Sequence, residues 1–248
     1  MDVQKEKLRT CLMKIGIDAG SGAAGAVAGC LVAGPVGAIL GGAAGSVLQS
    51  TLHQVASDWF CRQLSPKQED RVGFVAYHAT ERILSRLELG QELRDDGFFD
   101  RDVVASDAEQ IFEAALLVFR DEVETKKGSF VANVVANGMF SADSPDVVRR
   151  TLKYAETFTY RQLGLLAVAK ERPICRFTNL DEPAEMMCLH DEAAEVGGFL
   201  LNRNELSELG LAAHRLMGLD QMAARDLRTI HHQLDELMGV VHVTPSDV

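Results

Sequence analysis

The chain has 248 residues, enough for one large or two modest domains with a full core, and carries a formal net charge of -11. An acidic surface does not collect phosphate backbones, so sequence-independent nucleic-acid binding is disfavoured. Cys11, Cys30, Cys61, Cys175 and Cys188 are odd in number and scattered, with no C-x-x-C, which points to free thiols in a reducing cytoplasm and away from a disulfide framework.

Aromatic residues make up only 6% of the chain, and Ala, Leu, Val and Gly dominate its apolar part. That bias favours closely packed helices over a sandwich of strands, so the expected class is mostly α. Residues 2–15 read as a short amphipathic helix, with Val3, Leu8, Cys11, Leu12 and Ile15 near one face. The most informative segment follows. From Ala19 to Ser57 there is no charged residue, and nine glycines fall between Gly20 and Gly45. Gly25 and Gly29 are four apart, as are Gly37, Gly41 and Gly45, so each set forms a bare ridge on a helix. A second helix can approach such a ridge almost to backbone contact, the small-xxx-small arrangement of membrane helix pairs. Gly34-Pro35 interrupts the segment, and proline disfavours helix at the residue before it, so a hairpin turn is predicted there. The two arms, 16–33 and 36–57, are each about 27 Å or more long as helices, near the thickness of bilayer hydrocarbon. A cleaved secretory signal fits poorly, because the stretch is too long and has glycine where a compact leucine-rich centre belongs.

Beyond the hairpin the second arm becomes amphipathic and runs through Trp59 and Phe60 towards Leu64. Ser65-Pro66 is a helix start, and that helix is predicted to reach Leu89 with Val72, Val75, Ala79, Leu84 and Leu87 buried. Ser106-x-x-Glu109 is a capping box opening a helix through Ile111, Ala115, Phe119 and Val123, which Gly128 ends. Residues 130–140 form a short apolar helix, Ser144-Pro145 starts another, and 158–170 is a further apolar one. From Pro173 the texture changes. Ile174 to Thr178 and Phe199-Leu200-Leu201 are strand candidates, with a helix at 184–196 between them. Asn204 or Ser207 begins a helix with Leu209, Leu211, Leu216 and Met217, and a last helix spans 220–239. The expected organisation is therefore a glycine-zipper helical hairpin (1–64), an α-helical body (65–172) and a small winged-helix-like module (173–248).

Several polar clusters invite a site and have plainer explanations. Asp95, Asp96, Asp100 and Asp102 lack the alternating spacing and terminal glutamate of an EF-hand; Gly97 as a turn, with Phe98 and Phe99 plugging the core, is the simpler reading. Cys175, Cys188 and His190 have soft-ligand chemistry without the tight pair of a structural zinc site, and His214 joins them only through an assumed fold. His231 and His232 point about 100° apart on a helix and do not easily serve one ligand. His78 and Glu81 share a face but form a lone pair. No Walker loop, G-x-S-x-G, H-E-x-x-H or paired Glu-x-x-His is present, so no catalytic residue, metal or cofactor is assigned.

Four segments, Arg94 to Phe99 (RDDGFF), Glu122 to Phe130 (EVETKKGSF), Thr159 to Ala167 (TYRQLGLLA) and Leu206 to Leu219 (LSELGLAAHRLMGL), together resemble a group of bacterial helical proteins. That group has small-residue apolar N-termini, winged-helix-like tails and no assigned function. The resemblance implies a bacterial origin and this fold outline, and it carries over no active-site residue.

Two functional expectations follow. In one, the chain is a non-enzymatic bacterial effector whose hairpin enters or associates with a membrane, as in a toxin or anti-phage protein. Gly25, Gly29, Gly37, Gly41 and Gly45 would mediate self-association, Gly34-Pro35 the turn, and the acidic body the timing. Lys5, Lys7, Arg9 and Lys14 on one flank, with Arg62 and Lys67 on the other, favour a re-entrant hairpin from the cytoplasmic face. Its partners are then lipid, further copies of itself and a regulatory protein. In the other, the hairpin is a tightly packed soluble element buried under the body, and the tail is a protein-interaction module. Residues 184–196 carry Glu185, Asp191, Glu192 and Glu195 without lysine or arginine, so the tail is not expected to read DNA.

Overall fold

The computed structural model describes Leu48, Ser50, Thr51, Gln54, Val55 and Trp59, and then residues 62–101, 104–169, 201–202 and 205–237. The ridge glycines Gly25, Gly29, Gly37, Gly41 and Gly45, the Gly34-Pro35 turn, the strand expected at 174–178, the helix expected at 184–196 and the division at 172/173 lie outside the described residues. Among the described residues the chain is mostly α, with seven helices and one two-residue strand pair. It divides into two compact units, Met1–Glu156 and Thr157–Val248.

In the N-terminal unit, α1 (Pro66–Glu88) begins where serine and proline place it. The Ser65 amide donates to Gln68 Oε1 at 3.0 Å, satisfying one of the donors a helix start leaves over. Val72, Val75, Ala79 and Leu84 are buried as expected, and Ile83 is wholly buried with them. Leu87 is only half-buried and Leu89 lies 80% exposed, because α1 runs past the end of the core it covers. The capping box of α2 (Asp107–Arg120) is complete: the Glu109 amide donates to Ser106 Oγ at 3.2 Å, and the Ser106 amide to Glu109 Oε2 at 3.1 Å.

Here the structure departs from the sequence expectation. The helix ends at Arg120, Val123 is 81% exposed, and Gly128 ends nothing. After a short 3-10 turn at Thr125–Lys127, Gly128 instead opens α3 (Gly128–Gly138). The reason is close approach. A Cβ at Gly128 would lie 2.6 Å from Phe119 Cζ and 2.8 Å from Phe74 Cε1, so only glycine lets α3 start against the two rings. Residues Phe130 to Ala136 are then buried on every side, which marks α3 as the central helix of the unit. It packs against α1 and α2. In α4 (Pro145–Thr157), Val148, Leu152 and Ala155 face inward, and Val148 closes on Gly138 at the far end of α3.

The C-terminal unit is built in the same way around α5 (Tyr160–Ala169), buried from Gln162 to Val168. Thr159 starts it with a capping box: the Gln162 amide donates to Thr159 Oγ1 at 3.1 Å, and the Thr159 amide to Gln162 Oε1 at 2.8 Å. After the strand pair, β1 (Leu201–Asn202) with β2 (Glu205–Leu206), Ser207 caps α6 (Glu208–Met217) by accepting from the Gly210 amide at 3.0 Å. A 3-10 turn at Leu219–Gln221 leads to α7 (Ala224–Leu237). Both α6 and α7 pack on α5, where Ile230 and Met222 crowd the bare backbone at Gly164. Tyr160 OH donates to Asp226 Oδ2 at 2.9 Å, tying the start of α5 to α7; burial, reinforced by Asp226, pushes the phenol up to about 12.

Gly128→Ala sets two effects against each other. Helix propensity favours alanine by up to about 1 kcal/mol, whereas overpacking two fixed rings costs about 1–3 kcal/mol. A net destabilisation of about 1 kcal/mol is expected in urea unfolding followed by circular dichroism. A stabilised variant would show that close approach does not explain the glycine.

Candidate functional site

Between residues 48 and 59 the described positions, Leu48, Ser50, Thr51, Gln54, Val55 and Trp59, are helical. Leu48, Thr51, Val55 and Trp59 are no more than 4% exposed, whereas Ser50 is exposed. At about 100° per residue the four buried positions fall within roughly a quarter of the helix circumference, and Ser50 falls opposite them. These positions form a stem buried on one side, as the amphipathic reading expects, but the stretch expected to run on towards Leu64 is not helical at Gln63 and Leu64.

Arg62 joins the stem to the body. Its amide donates to the Trp59 carbonyl at 3.2 Å, and its guanidinium lies 4.5 Å from the centre of the Trp59 ring. The same guanidinium pairs with Glu113 on α2. Both charged side chains are 35% exposed, so the pair is reachable by solvent and screened by salt. The indole Nε1 of Trp59 is buried with no hydrogen-bond partner among the described residues. By its position Arg62 flanks the apolar run. Its role here comes from Glu113, 51 positions away, and no local pattern signals that pairing.

The other clusters resolve into structural roles. Gly97 makes the expected turn with a φ of 82° and Phe98 is buried as expected, whereas Phe99 is only half-buried and meets it edge-on at 5.3 Å. Of that loop's aspartates, Asp96 serves Arg94. Its side chain, only 5% exposed, forks onto Asp96, donates to the carbonyls of Gly138 (3.3 Å) and Asp143 (2.8 Å), and lies 4.3 Å from the Phe98 ring centre. The Arg94 hydrogen bond holds the Asp96 carboxyl below its ordinary range. At the opposite end of α3 the Lys127 ammonium is 3% exposed, pairs with Glu122, and donates to the Glu156 carbonyl at 2.9 Å. Burial pushes the Glu122 carboxyl up, but Lys127 and the Glu124 amide outweigh it and the net shift is downward. Neither base was distinguished from surface charge in the sequence.

His78 and Glu81 sit 3.5 Å apart on α1. The imidazole rests against Phe74, ring centres 4.2 Å apart, with Tyr77 edge-on at 4.9 Å. Burial lowers its pKa, and Glu81 opposes that only in part. In the C-terminal unit His214 is buried, with Asp220 at 3.9 Å; His231 is half-buried and His232 exposed. Cys175, Cys188, His190 and Asp102 lie outside the described residues, and no group of three or more metal-ligating side chains occurs among those described. No helix among the described residues is long and apolar enough to cross a membrane. No family model, curated protein or solved structure matches the chain.

Arg94→Lys keeps a positive charge but loses the fork, and is expected to cost about 1–3 kcal/mol of stability in thermal or urea unfolding. Asp96→Asn tests the pH sign. A carboxyl whose folded pKa is depressed contributes stability above its unfolded pKa of about 4 and loses it as pH falls through the folded value. The gap between parent and Asp96→Asn should therefore be present at pH 7 and close below about pH 4. A gap that widens on acidification would contradict the assignment.

Proposed function

We propose that this chain is a non-enzymatic bacterial effector whose glycine-zipper hairpin associates with or inserts into a membrane from the cytoplasmic face, and that its acidic helical body governs when it does so. The observation that carries this reading is the continuity of two unlike segments. The charge-free Ala19–Ser57 stretch, with Gly25, Gly29, Gly37, Gly41 and Gly45 ridged for helix contact and Gly34-Pro35 as its turn, leads directly into a stem buried on one face. Alanine and glycine supply little transfer energy, so assembly of several copies adds the packing that one hairpin lacks. The tail is read as a winged-helix-like module that takes a regulatory protein partner, with Ser207 opening α6 as the supporting pattern. The burial of Leu48, Thr51, Val55 and Trp59 equally favours a second reading, a soluble interaction protein in which the whole hairpin stays in the core.

Flotation with phosphatidylglycerol-containing liposomes separates the two. The full chain is expected to float, and Gly41→Asp to lose flotation by roughly tenfold or more, because a carboxylate in an apolar helix costs about 2.5–3.5 kcal/mol on insertion. Gly41→Leu, which forces helices apart, is expected to reduce oligomer size. A full chain that stays with the protein fraction at low and physiological salt sinks the membrane reading and leaves the soluble one.

A further inference from the structure

We propose that the seam between α1 and α3 is a binding site for a phosphate-type oxyanion, with the guanidiniums of Arg82 and Arg86 as its two arms. Every residue of the site lies in the helical body, so it stands independently of the membrane reading. Helical geometry sets the arms. His78, Arg82 and Arg86 are spaced by four on α1, so they form one stripe, and all three are half-buried. The stripe follows α3 along its length. Phe74, one turn before His78, meets Gly128 at the start of α3, and Arg82 donates to Asn133 Oδ1 midway. Arg86 lies 5.4 Å from the centre of the Phe140 ring, just past the end of α3. Asn137, half-buried, lies one turn on from Asn133, which puts two side-chain amides on the face of α3 beside the arginines.

The charges along this seam are unbalanced. Arg62, Arg94, Arg101, Arg120, Lys127 and Arg149 each meet a carboxylate. Arg86 meets none among the described residues, although acids outnumber bases 36 to 25 in the chain. Its charged neighbour is another cation: burial, and Arg82 after it, hold the Arg86 guanidinium below its ordinary value. Burial acts on Arg82 in the same direction, and Glu81 offsets it only in part. Glu81 itself pairs with His78 at 3.5 Å, one turn back along the stripe. Asn133 is a neutral acceptor, so it fixes the Arg82 guanidinium and leaves the charge uncancelled. Two cations held side by side and partly out of water are relieved by one anion that accepts forked hydrogen bonds from both. A phosphate group carries about 1.5–2 negative charges at neutral pH, close to one for each arginine, which a single carboxylate does not supply.

Inorganic phosphate is the probe, compared with chloride at equal ionic strength so that screening is the same in both. In thermal unfolding of the full-length chain, about 10 mM phosphate is expected to raise the midpoint by about 2–4 °C over chloride, as for a site at roughly ten times its dissociation constant. Phosphate also stabilises folded chains generally by exclusion from their surface, so the variants decide. Arg86→Gln is expected to lose the shift, whereas Arg120→Gln, at an arginine paired with Asp121, keeps it. Arg86→Lys retains the charge and the aliphatic stem over Phe140 but not the fork, and should lose about half of the shift. A parent that responds no more to phosphate than to chloride overturns the site. So does a full shift in both Arg86 variants, or an equal loss in Arg120→Gln. Flotation with vesicles containing phosphatidylglycerol then assigns the source of the phosphate. Flotation lost in Arg86→Gln places it on a lipid headgroup; flotation absent from the parent, or unchanged in the variant, places it on a soluble phosphorylated compound.

Discussion

A helix that is apolar all round cannot meet water on any side, and α3 is such a helix, buried without a break from Phe130 to Ala136. Enclosing it determines much of the N-terminal unit. The long α1 covers one flank and α2 another, and Val148 of α4 closes on the Gly138 end. The start of α3 can reach the Phe74 and Phe119 rings only because residue 128 has no side chain. The two ends of the helix are also where the unit places its most buried cations. Arg94 gathers the carbonyls of Gly138 and Asp143 at the C-terminal end, where a helix leaves acceptors unsatisfied. Lys127 precedes the N-terminal end but turns its ammonium away, to Glu122 and to the Glu156 carbonyl in the last turn of α4.

Several ion pairs among the described residues brace the N-terminal unit internally. Arg62, Arg94, Lys127 and Arg149 each reach a carboxylate, and in three of the four the pair crosses between elements or from a loop to a helix end. Acids outnumber bases 36 to 25, so the carboxylates left over give the acidic balance. The buried pair at Lys127 and the exposed pair at Arg62 have opposite consequences. The first is costly to break, because removing one partner strands a charge in the interior. The second is reached by solvent, screened by salt and contributes little.

The C-terminal unit repeats the principle on a smaller scale. α5 is enclosed by α6 and α7, and a glycine again marks the tightest approach, Gly164 beneath Ile230. Its polar ends are finished locally by the Thr159–Gln162 box and by the bond from Tyr160 to Asp226. Both units thus rest on a short apolar helix that is stable only as the centre of something larger, since isolated helices of that length are marginal in water.

What the sequence by itself determined is local. Ser65-Pro66, the Ser106 box, Ser144-Pro145 and Ser207 begin their helices where hydroxyl caps and proline place them, because these signals act within four residues and need no partner elsewhere. One-sided apolar spacing likewise carries the buried positions Val72, Val75, Ala79 and Leu84 of α1, though not Leu87. What only the tertiary structure decided is every meaning that depends on a distant neighbour. Gly128 reads locally as a helix stop and is a helix start because two aromatic rings press on it. Lys127 carries no local signal of burial and is buried because Glu122 and Glu156 meet it. Arg62 reads as a flank beside an apolar run and becomes a bridge only when folding brings Glu113 beneath it, a pairing that neither periodicity nor spacing encodes.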